Sequence, residues 1–540
     1  MFKNNQIRFY ITMFLTVLFL VGCANDENSA TNSNDQTASG KAVKGGELTY
    51  ALATSPDTLD PHRTGLVVAL RVITQVFDSL VTLDENNKVH PHLATEWVIS
   101  EDGKSYTFKL RDDVLFHDGT KFNADAVKYN FDRIKDPATK AANASALLQA
   151  YDSSEVLSEY EVKINLVHPS TSFLTNLSQS LLGIVSPTAA KQYGEEFGKN
   201  PVGTGLFKFE SWQENAEIKL AKNEAYNWGP VNVDNRGPSY LDRVTFKIVP
   251  EEATRVGGIQ SGQILAAETI PPQNISVLER DPNITIYSEN TIGLPYTLFF
   301  NQTREPFNDV NVRKAVLLGV DVESILKTLY LGHYTRSWSP LTPGIFAYNE
   351  SLENSWSYDV EKANELLDEA GFVIGSDGIR ERNGKRLTLK YVDASPNREK
   401  RNDIAVIVQQ QLKKLGIDVE LTISQDARTI VYQNADYDLY GNSQINTDPN
   451  SLRSIYSTGA LLPRGIDDPH LDELLAIGDV EQDAQKREQI YFEAQQRIID
   501  QAYIIPIYVF PYIVGTTNKV DGFKFNKLGI PIFNDVFFSK

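Results

Sequence analysis

Two polar stretches in the second half of the chain carry the side chains best suited to holding a small polar ligand. The first follows an apolar run from Leu387 to Val392 and precedes a predicted helix, whose N-terminus would favour a ligand carboxylate. The second follows Tyr440, and its amide side chains suit neutral hydrogen bonding. At each position an ordinary polar loop is the alternative. The candidate binding residues are Asp393, Ser395, Asn397, Arg398, Asn442, Ser443, Gln444 and Asn446.

The residue types give little support to catalytic or metal chemistry. His90 and His92 are the one close pair among seven histidines, and the rigid Pro91 between them disfavours a shared metal ion. The zinc-protease pattern H-E-x-x-H and the serine-hydrolase pattern G-x-S-x-G are both missing from the sequence. We therefore expect a protein that is not an enzyme, with no catalytic residue, no metal and no cofactor. Paired carboxylates among the 70 Asp and Glu residues stay open, because sequence spacing does not reveal them.

A glycine-rich stretch runs from Asn200 to Phe209. Two glycines around Thr204 predict a sharp backbone turn. A phosphate-binding loop is the alternative, but the stretch lacks the lysine and the spacing of G-x-x-x-x-G-K-[ST].

The beginning of the chain has the pattern of a targeting signal. After a positively charged start, Phe9 to Val21 is an apolar run with the length of a signal-peptide core, and it is short for a membrane span. The run ends just before Cys23 in a pattern that resembles the bacterial lipobox. We expect residues 1–22 to be a lipoprotein signal peptide and Cys23 to receive lipid, which anchors the protein at a membrane surface. For the apolar run, the alternative is an uncleaved anchor helix with Cys23 buried. Residues 23–43 are polar and predict a flexible tether.

Length and composition limit the class of protein. A chain of 540 residues with 41% hydrophobic residues predicts two or three packed domains. A net charge of −18 argues against nucleic acid, which requires a basic face, and leaves an acidic face for cationic ligands as an alternative. One cysteine excludes an intrachain disulfide.

Hydrophobic periodicity predicts strands and helices that alternate along the chain. Strands are expected at Gly45–Leu52, Ser105–Arg111, Val162–Leu166, Val244–Ile248, Leu387–Val392 and Ile417–Ile423. Helices are expected at Arg71–Val81, Ala124–Ile134 with Asn123 as N-cap, from Val312 onward, at Val360–Ala370 and at Ile404–Leu415. Two prolines break the apolar run Ala502–Val514, which favours buried strands over a membrane span.

The stretch from Leu93 to Gly119 reads as a loop, a tight turn at Ser100–Gly103 and a strand, and a common β-hairpin is the alternative. Its residues resemble the signature of the extracytoplasmic solute-binding proteins of ABC importers, family 5, the peptide/nickel/opine group. The matching positions are Ala94, Trp97, Ser100, Asp102, Gly103, Tyr106, Thr107, Phe108, Leu110, Arg111, Val114, Phe116, His117, Asp118 and Gly119.

The resemblance extends over Lys44 to Lys540 and implies an α/β fold. The implied fold is the two-lobed periplasmic-binding-protein fold, class II and three-domain type. Its ligand cleft lies between lobes that close about a hinge. The implied domain I comprises residues 44–83, 202–290 and 510–540, domain II residues 84–201, and domain III, the second lobe, residues 291–509.

The same resemblance implies a lipid-anchored, extracytoplasmic monomer that captures a small polar solute and delivers it to the permease subunits of an importer. A short peptide is the default solute. The stretch after Tyr440 corresponds to a segment that lines the pocket in such proteins, with two departures. Ile445 stands where peptide binders carry an aspartate for the peptide amine, and Asn442 stands where the nickel binder carries a histidine. A metal chelate or an opine is therefore the alternative solute. An extracytoplasmic hydrolase and a sensory or adhesion lipoprotein are further alternatives.

Overall fold

The computed structural model describes residues 42–395 and 397–539. The predicted signal peptide, most of the tether and Cys23 lie outside the described residues. Three large β-sheets organise the described chain, and helices cover them. In residues 42–395 and 397–539, no helix combines the length and apolar character needed to cross a membrane.

The first sheet has seven strands and joins distant parts of the chain. In spatial order its strands are Ile284–Asn290, Pro511–Thr517, Ala266–Glu268, Glu47–Leu52, Arg243–Ile248, Glu217–Lys222 and Phe207–Gln213. Glu47–Leu52 lies at the centre, parallel to both of its neighbours. Its apolar side chains are buried, as the alternation predicts.

The second sheet has six strands. In spatial order they are Thr335–Arg336, Ile504–Val509, Gly293–Phe300, Leu439–Ile445, Thr388–Ala394 and Asp418–Ser424. Every residue of Ile504–Val509 and of Pro511–Thr517 is buried, so the prediction of buried strands over Ala502–Val514 is confirmed.

The third sheet has four strands, Ala94–Ile99, Ser105–Leu110, Glu161–Leu166 and Tyr151–Ser158. The first two form a hairpin, so the segment after Leu93, predicted as a loop, is a strand. The two strands pair from Ala94 with Leu110 to Ile99 with Tyr106, and this partner is what makes the segment a strand. Gly103 has a φ of +67°, and the predicted turn is confirmed.

Helices and short two- and three-stranded sheets complete the fold. The α-helices are Val67–Val76, Ala124–Lys135, Ala142–Leu147, Phe173–Asn176, Pro187–Tyr193, Glu252–Gln260, Pro272–Leu278, Val310–Gly319, Val322–Tyr330, Val360–Glu369, Arg401–Lys414, Ser451–Tyr456, Pro469–Val480 and Ala484–Asp500. The short strands are Val81–Leu83, Val89–Pro91, Val373–Ile374, Arg380–Arg382, Lys385–Arg386, Val520–Asp521, Lys524–Phe525, Pro531–Ile532 and Phe537–Phe538. The predicted N-cap is confirmed, since the Asn123 side chain accepts a hydrogen bond from Ala126 N at 3.0 Å.

The helix predicted over Arg71–Val81 is wrong at both ends. The helix is Val67–Val76, and Phe77 is already extended, with φ −124° and ψ 140°. Its last carbonyl, Val76 O, accepts a hydrogen bond from Gly205 N at 2.9 Å. A distant segment therefore takes the acceptor that a further helical turn would use.

The chain bends at Thr204 and Gly205, as predicted, and the two glycines have a further purpose. A side chain at Gly203 would place its Cβ 2.2 Å from Val76 O, and one at Gly205 would place it 2.5 Å from Val76 C. Neither glycine has a positive φ. They are required because the backbone passes directly against the helix end.

Two segments connect the seven-stranded and six-stranded sheets. One runs from Asn290 through Thr291 to Gly293, and the other passes through Phe510. Thr291 N and Thr291 Oγ1 both donate to Phe510 O, each at 2.9 Å. We call the part built on the seven- and four-stranded sheets the first lobe and the part built on the six-stranded sheet the second lobe. The paired segments are the connection between the lobes.

The two lobes also touch away from this connection. Thr171 N and Thr171 Oγ1 donate to Asp479 O at 3.1 and 3.0 Å. Gln179 Nε2 donates to Thr447 Oγ1 at 3.2 Å. These bonds join the four-stranded sheet's side of the first lobe to the second lobe.

Candidate ligand-binding site

Parallel strands bring the two predicted polar stretches to one edge of the six-stranded sheet. Thr388–Ala394 pairs in parallel with Leu439–Ile445, in the register Tyr391 to Leu439. Ile445 also pairs with Gly293, which directly follows the connection between the lobes. The carboxyl ends of the parallel strands therefore point toward the first lobe. Ligands of α/β proteins are commonly bound at such an edge.

The first lobe presents a similar edge to the second. Three of its strands run parallel, and two of these, Arg243–Ile248 and Ala266–Glu268, lead to the helices Glu252–Gln260 and Pro272–Leu278. A cavity of about 600 Å³ lies between these helices and Asn397 of the second lobe. The candidate site is thus at the mouth of a cleft between the lobes.

A buried ion pair forms the wall of this site on the second lobe. Arg401 begins the helix Arg401–Lys414, and its Nη2 lies 2.5 Å from Glu399 Oε2. The same nitrogen donates to Ser443 Oγ at 3.0 Å, which joins the two polar stretches. The side chains of Arg401 and Glu399 are 15% and 6% exposed. No protein atom among the described residues accepts a hydrogen bond from Arg401 Nε.

Tyrosines surround the ion pair. The Arg401 guanidinium lies 4.5 Å from the centre of the Tyr296 ring, and Tyr296 stacks on Tyr508 at 5.0 Å. Tyr330 and Tyr334 pack together with ring centres 4.0 Å apart. The Tyr330 hydroxyl donates to Glu399 O at 2.6 Å. These rings exclude water and strengthen the charge interaction between Arg401 and Glu399.

The charges of the pair decide its protonation. Burial by itself raises the pKa of Glu399, but the charges of Arg401 and Arg398 outweigh burial and hold this pKa below its usual value. Burial by itself lowers the pKa of Arg401, and the charge of Glu399 raises it well above its usual value. Both groups are therefore ionised at neutral pH.

Burial raises the pKa of Tyr334, with a further contribution from Glu252 of the first lobe.

The first predicted stretch is divided between buried and exposed side chains. Asp393 is 3% exposed, and its carboxylate accepts hydrogen bonds from Ala394 N at 2.8 Å and Asn402 Nδ2 at 2.9 Å. Burial raises its pKa. Ser395 is half-buried, and its backbone N–H donates to Ser424 O at 3.0 Å.

Asn397 and Arg398 face solvent. Asn397 donates to Asp403 Oδ2 at 2.9 Å, and its own oxygen accepts from Asn402 N at 2.9 Å. The Arg398 side chain is 58% exposed, and its Nη2 donates to Glu399 Oε1 at 3.2 Å. Of the predicted residues, Asn397 is the one that lines the cavity between the lobes.

The second predicted stretch belongs to a strand. Asn442, Ser443 and Gln444 lie in Leu439–Ile445, so the alternative of an ordinary polar loop is wrong at these three positions. The pairing of this strand with Gly293–Phe300 accounts for the difference. Asn442 Nδ2 lies 3.4 Å from the Tyr432 hydroxyl, and Gln444 is exposed.

Asn446 follows that strand. It is half-buried, and its backbone N–H donates to Ile292 O at 3.1 Å. The structure thus gathers Ser443, Asn442 and Asn446 near the connection between the lobes. Within residues 42–395 and 397–539, no three His, Cys, Asp or Glu side chains are grouped so that they could hold a metal ion.

Sequence reasoning missed the charged pair at the centre of the site. Glu399 and Lys400 both adopt left-handed backbone, with φ of +50° and +56°. This conformation turns Glu399 inward and lets the helix start at Arg401. For Arg401, the one signal available in the sequence was the position of this residue in the first helical turn. Tyr296 and Tyr508 gave no such signal, because they come from strands distant in sequence.

The chain is similar to known proteins in sequence and in structure. Residues 88–460 match the family model described as bacterial extracellular solute-binding proteins, family 5 middle. The chain is 32% identical over 376 residues to the glutathione-binding protein GsiB of Escherichia coli O1:K1, which covers 70% of this chain and 69% of that protein.

Solved structures share the whole fold. The periplasmic binding protein DppA of Helicobacter pylori, in complex with the peptide STSA, has a TM-score of 0.78 and 27% identity over 92% of this chain and 99% of that chain. NikA of Brucella suis, in complex with Fe(III)-EDTA, has a TM-score of 0.82 and 25% identity over 92% of this chain and all (100%) of that chain. These relatives are binding proteins. The chain therefore belongs to the bacterial extracellular solute-binding proteins of family 5, which have a two-lobed α/β fold with a ligand cleft.

Proposed function

We propose that this protein is the solute-binding component of an ABC importer and that its solute is a small molecule carrying a carboxylate, by default a short peptide. The lobes close on the solute, and permease subunits receive it chemically unchanged. One observation carries the proposal. Arg401 is buried at the edge of the second lobe's sheet, where its Nη2 donates to Ser443 Oγ, and its Nε has no acceptor among the described residues. A buried guanidinium with a free donor suits a carboxylate.

The relatives support a peptide-like solute without naming the solute of this chain. GsiB is named for glutathione, and the DppA structure holds the peptide STSA. The NikA structure holds Fe(III)-EDTA, a chelate that also carries carboxylates. A metal chelate or an opine is therefore the second candidate, favoured by Ile445 at the position where the resemblance implies the aspartate of peptide binders, while Asn442 in place of a histidine argues against direct metal ligation there. The binding residues predicted from sequence stay part of the proposal, with the exposed Arg398 in a minor role and with Arg401 and Glu399 added.

The proposal includes the cellular setting. Cys23 is lipidated after removal of residues 1–22, residues 23–43 act as a tether, and the monomer works at the extracytoplasmic face of the membrane. The lobes consist of domains I and II and of domain III, with the boundaries expected from the sequence. The apolar run before Cys23 and the polar stretch after it support this arrangement.

Mass spectrometry and thermal unfolding test the proposal together. Protein extracted from host membranes should begin at an acylated Cys23 and should carry a ligand that is released with its mass unchanged. Titration with that ligand, compared with glutathione, tripeptides and metal chelates, should raise the stability by about 2.7 kcal/mol at 100 times the Kd. A bound molecule that leaves as a different compound would overturn the binding function, and an unmodified Cys23 would overturn the anchor.

A further inference from the structure

We propose that Glu399 is a specificity-determining residue: it pairs with Arg401 and selects ligands that bring an ammonium group together with a carboxylate over simple anions. This inference rests on the proposed function, because it assumes that Arg401 receives the ligand carboxylate.

The first step is that Glu399 already occupies one side of Arg401. Its Oε2 lies 2.5 Å from Arg401 Nη2, and the Tyr508 hydroxyl approaches the same oxygen at 3.5 Å. Ser443 Oγ accepts from the same nitrogen at 3.0 Å. A ligand carboxylate that reaches the free Nε must therefore lie next to the carboxylate of Glu399.

The second step is that the backbone holds Glu399 in this place. Glu399 and Lys400 are consecutive left-handed residues with side chains, a conformation that is unfavourable for both. The hydrogen bond from the Tyr330 hydroxyl to Glu399 O, at 2.6 Å, fixes the turn from a distant helix. Glu399 therefore stays in the site when a ligand arrives.

The third step concerns the surrounding charges. The nearby tyrosine hydroxyls are neutral at ordinary pH, since burial raises the pKa of Tyr508 and of Tyr330 above their usual values. Asp393 is nearby, but burial raises its pKa and Asn402 already donates to it. Arg398 donates to Glu399 Oε1 at 3.2 Å and helps to lower the pKa of Glu399, but its side chain is 58% exposed, so it offsets only part of the negative charge that Glu399 presents to a ligand.

The consequence is a charge rule for the ligand. A simple anion at Arg401 adds a second negative charge beside Glu399, in a place with little water, and the two carboxylates repel. A ligand that also carries an ammonium group places a positive charge near Glu399 and removes that repulsion. Glu399 thus penalises anions and tolerates zwitterions.

The test measures a preference with matched ligand pairs. Binding of glutathione and of trialanine is compared with binding of their N-acetylated forms by calorimetry, in the wild type and in Glu399→Gln. In the wild type, the free-amine form should bind at least 10-fold more tightly. In Glu399→Gln the acetylated form should gain affinity, and the preference should fall by at least 10-fold. Glu399→Asp, which keeps the charge, should keep the preference and guards against a folding defect in the amide variant.

Asp403→Asn is the matched control. Asp403 lies in the first turn of the same helix, but its carboxylate contacts Asn397, so its replacement should leave the preference unchanged. An unchanged preference in folded Glu399→Gln overturns this inference and leaves the proposed function standing. Wild-type protein that binds neither member of either pair overturns both.

Discussion

At the scale of single residues, two arginines three positions apart have opposite environments. Arg401 is buried against Tyr296, whereas Arg398 is 58% exposed. A charged side chain in water is screened and contributes little to binding, while one that is desolvated and already paired contributes strongly. The structure therefore adds the desolvated Arg401 to the candidate residues, beside the exposed Arg398 that the sequence suggested as one of eight.

The first prediction compares these arginines. Removing Arg401 alone would leave the buried Glu399 with the exposed Arg398 as its remaining cation among the described residues, so the informative variant is Arg401→Gln in the Glu399→Gln background. Its affinity for the solute should be about 10- to 100-fold lower than that of Glu399→Gln alone, the loss of one charge-assisted hydrogen bond. Arg398→Gln in the same background should change affinity less than about 3-fold. Calorimetry measures both affinities. If Arg401→Gln lowers affinity as little as Arg398→Gln is expected to, Arg401 does not contact the solute.

At the scale of elements, local periodicity predicted the bodies of helices and strands, and tertiary contacts set several of their ends. Val360–Glu369 is followed by Gly371 at φ +83°, as its sequence indicates. Val67–Val76 ends early because Gly205 bonds its last carbonyl. A helix end set by a distant segment has no local signal.

The second prediction follows from that contact. Gly203→Ala should lower the free energy of unfolding by roughly 1–3 kcal/mol, because its Cβ would lie 2.2 Å from Val76 O. Gly257→Ala is the control. It lies within the helix Glu252–Gln260 with no atom within 4 Å of the added Cβ, so it should raise stability by about 0.5–1 kcal/mol. Urea unfolding measures both changes, and a neutral Gly203→Ala would contradict the close approach.

At the scale of the whole molecule, buried histidines connect separate parts of the first lobe. His62 Nε2 lies 3.1 Å from Gly183 O, and His117 Nε2 lies 3.0 Å from Gly205 O. Burial lowers the pKa of each to about 4. Asp60 and Arg133 adjoin His62 and act in opposite directions on its pKa, so burial prevails.

The third prediction is a loss of stability in mild acid. An unfolded histidine has a pKa of about 6.5, so below that pH the unfolded chain binds more protons than the folded protein. Stability is therefore full above about pH 6.5 and falls as the pH decreases toward the folded pKa of about 4. Each histidine should contribute up to about 1.4 kcal/mol per pH unit.

His117→Gln isolates one of these contributions. The amide keeps a donor for Gly205 O but does not titrate, so urea unfolding between pH 6.5 and pH 4.5 should show a slope smaller by up to about 1.4 kcal/mol per pH unit. A variant with the wild-type slope would show that His117 is protonated equally in both states.

The sequence by itself determined the α/β class, the bodies of most strands and helices, and the family resemblance. These features depend on side-chain periodicity, on turn residues and on short motifs, all of which act between residues close in the chain. It also predicted Asp393 to Arg398 and Asn442 to Asn446 as two stretches of one ligand cleft, which stays a prediction.

Only the tertiary structure decided which charges are buried there. Glu399 and Arg401 become a desolvated pair because Tyr296, Tyr330 and Tyr508 arrive from other elements and close over a left-handed turn. Burial is a property of neighbours that are distant in sequence, and the strength of a charge depends on burial.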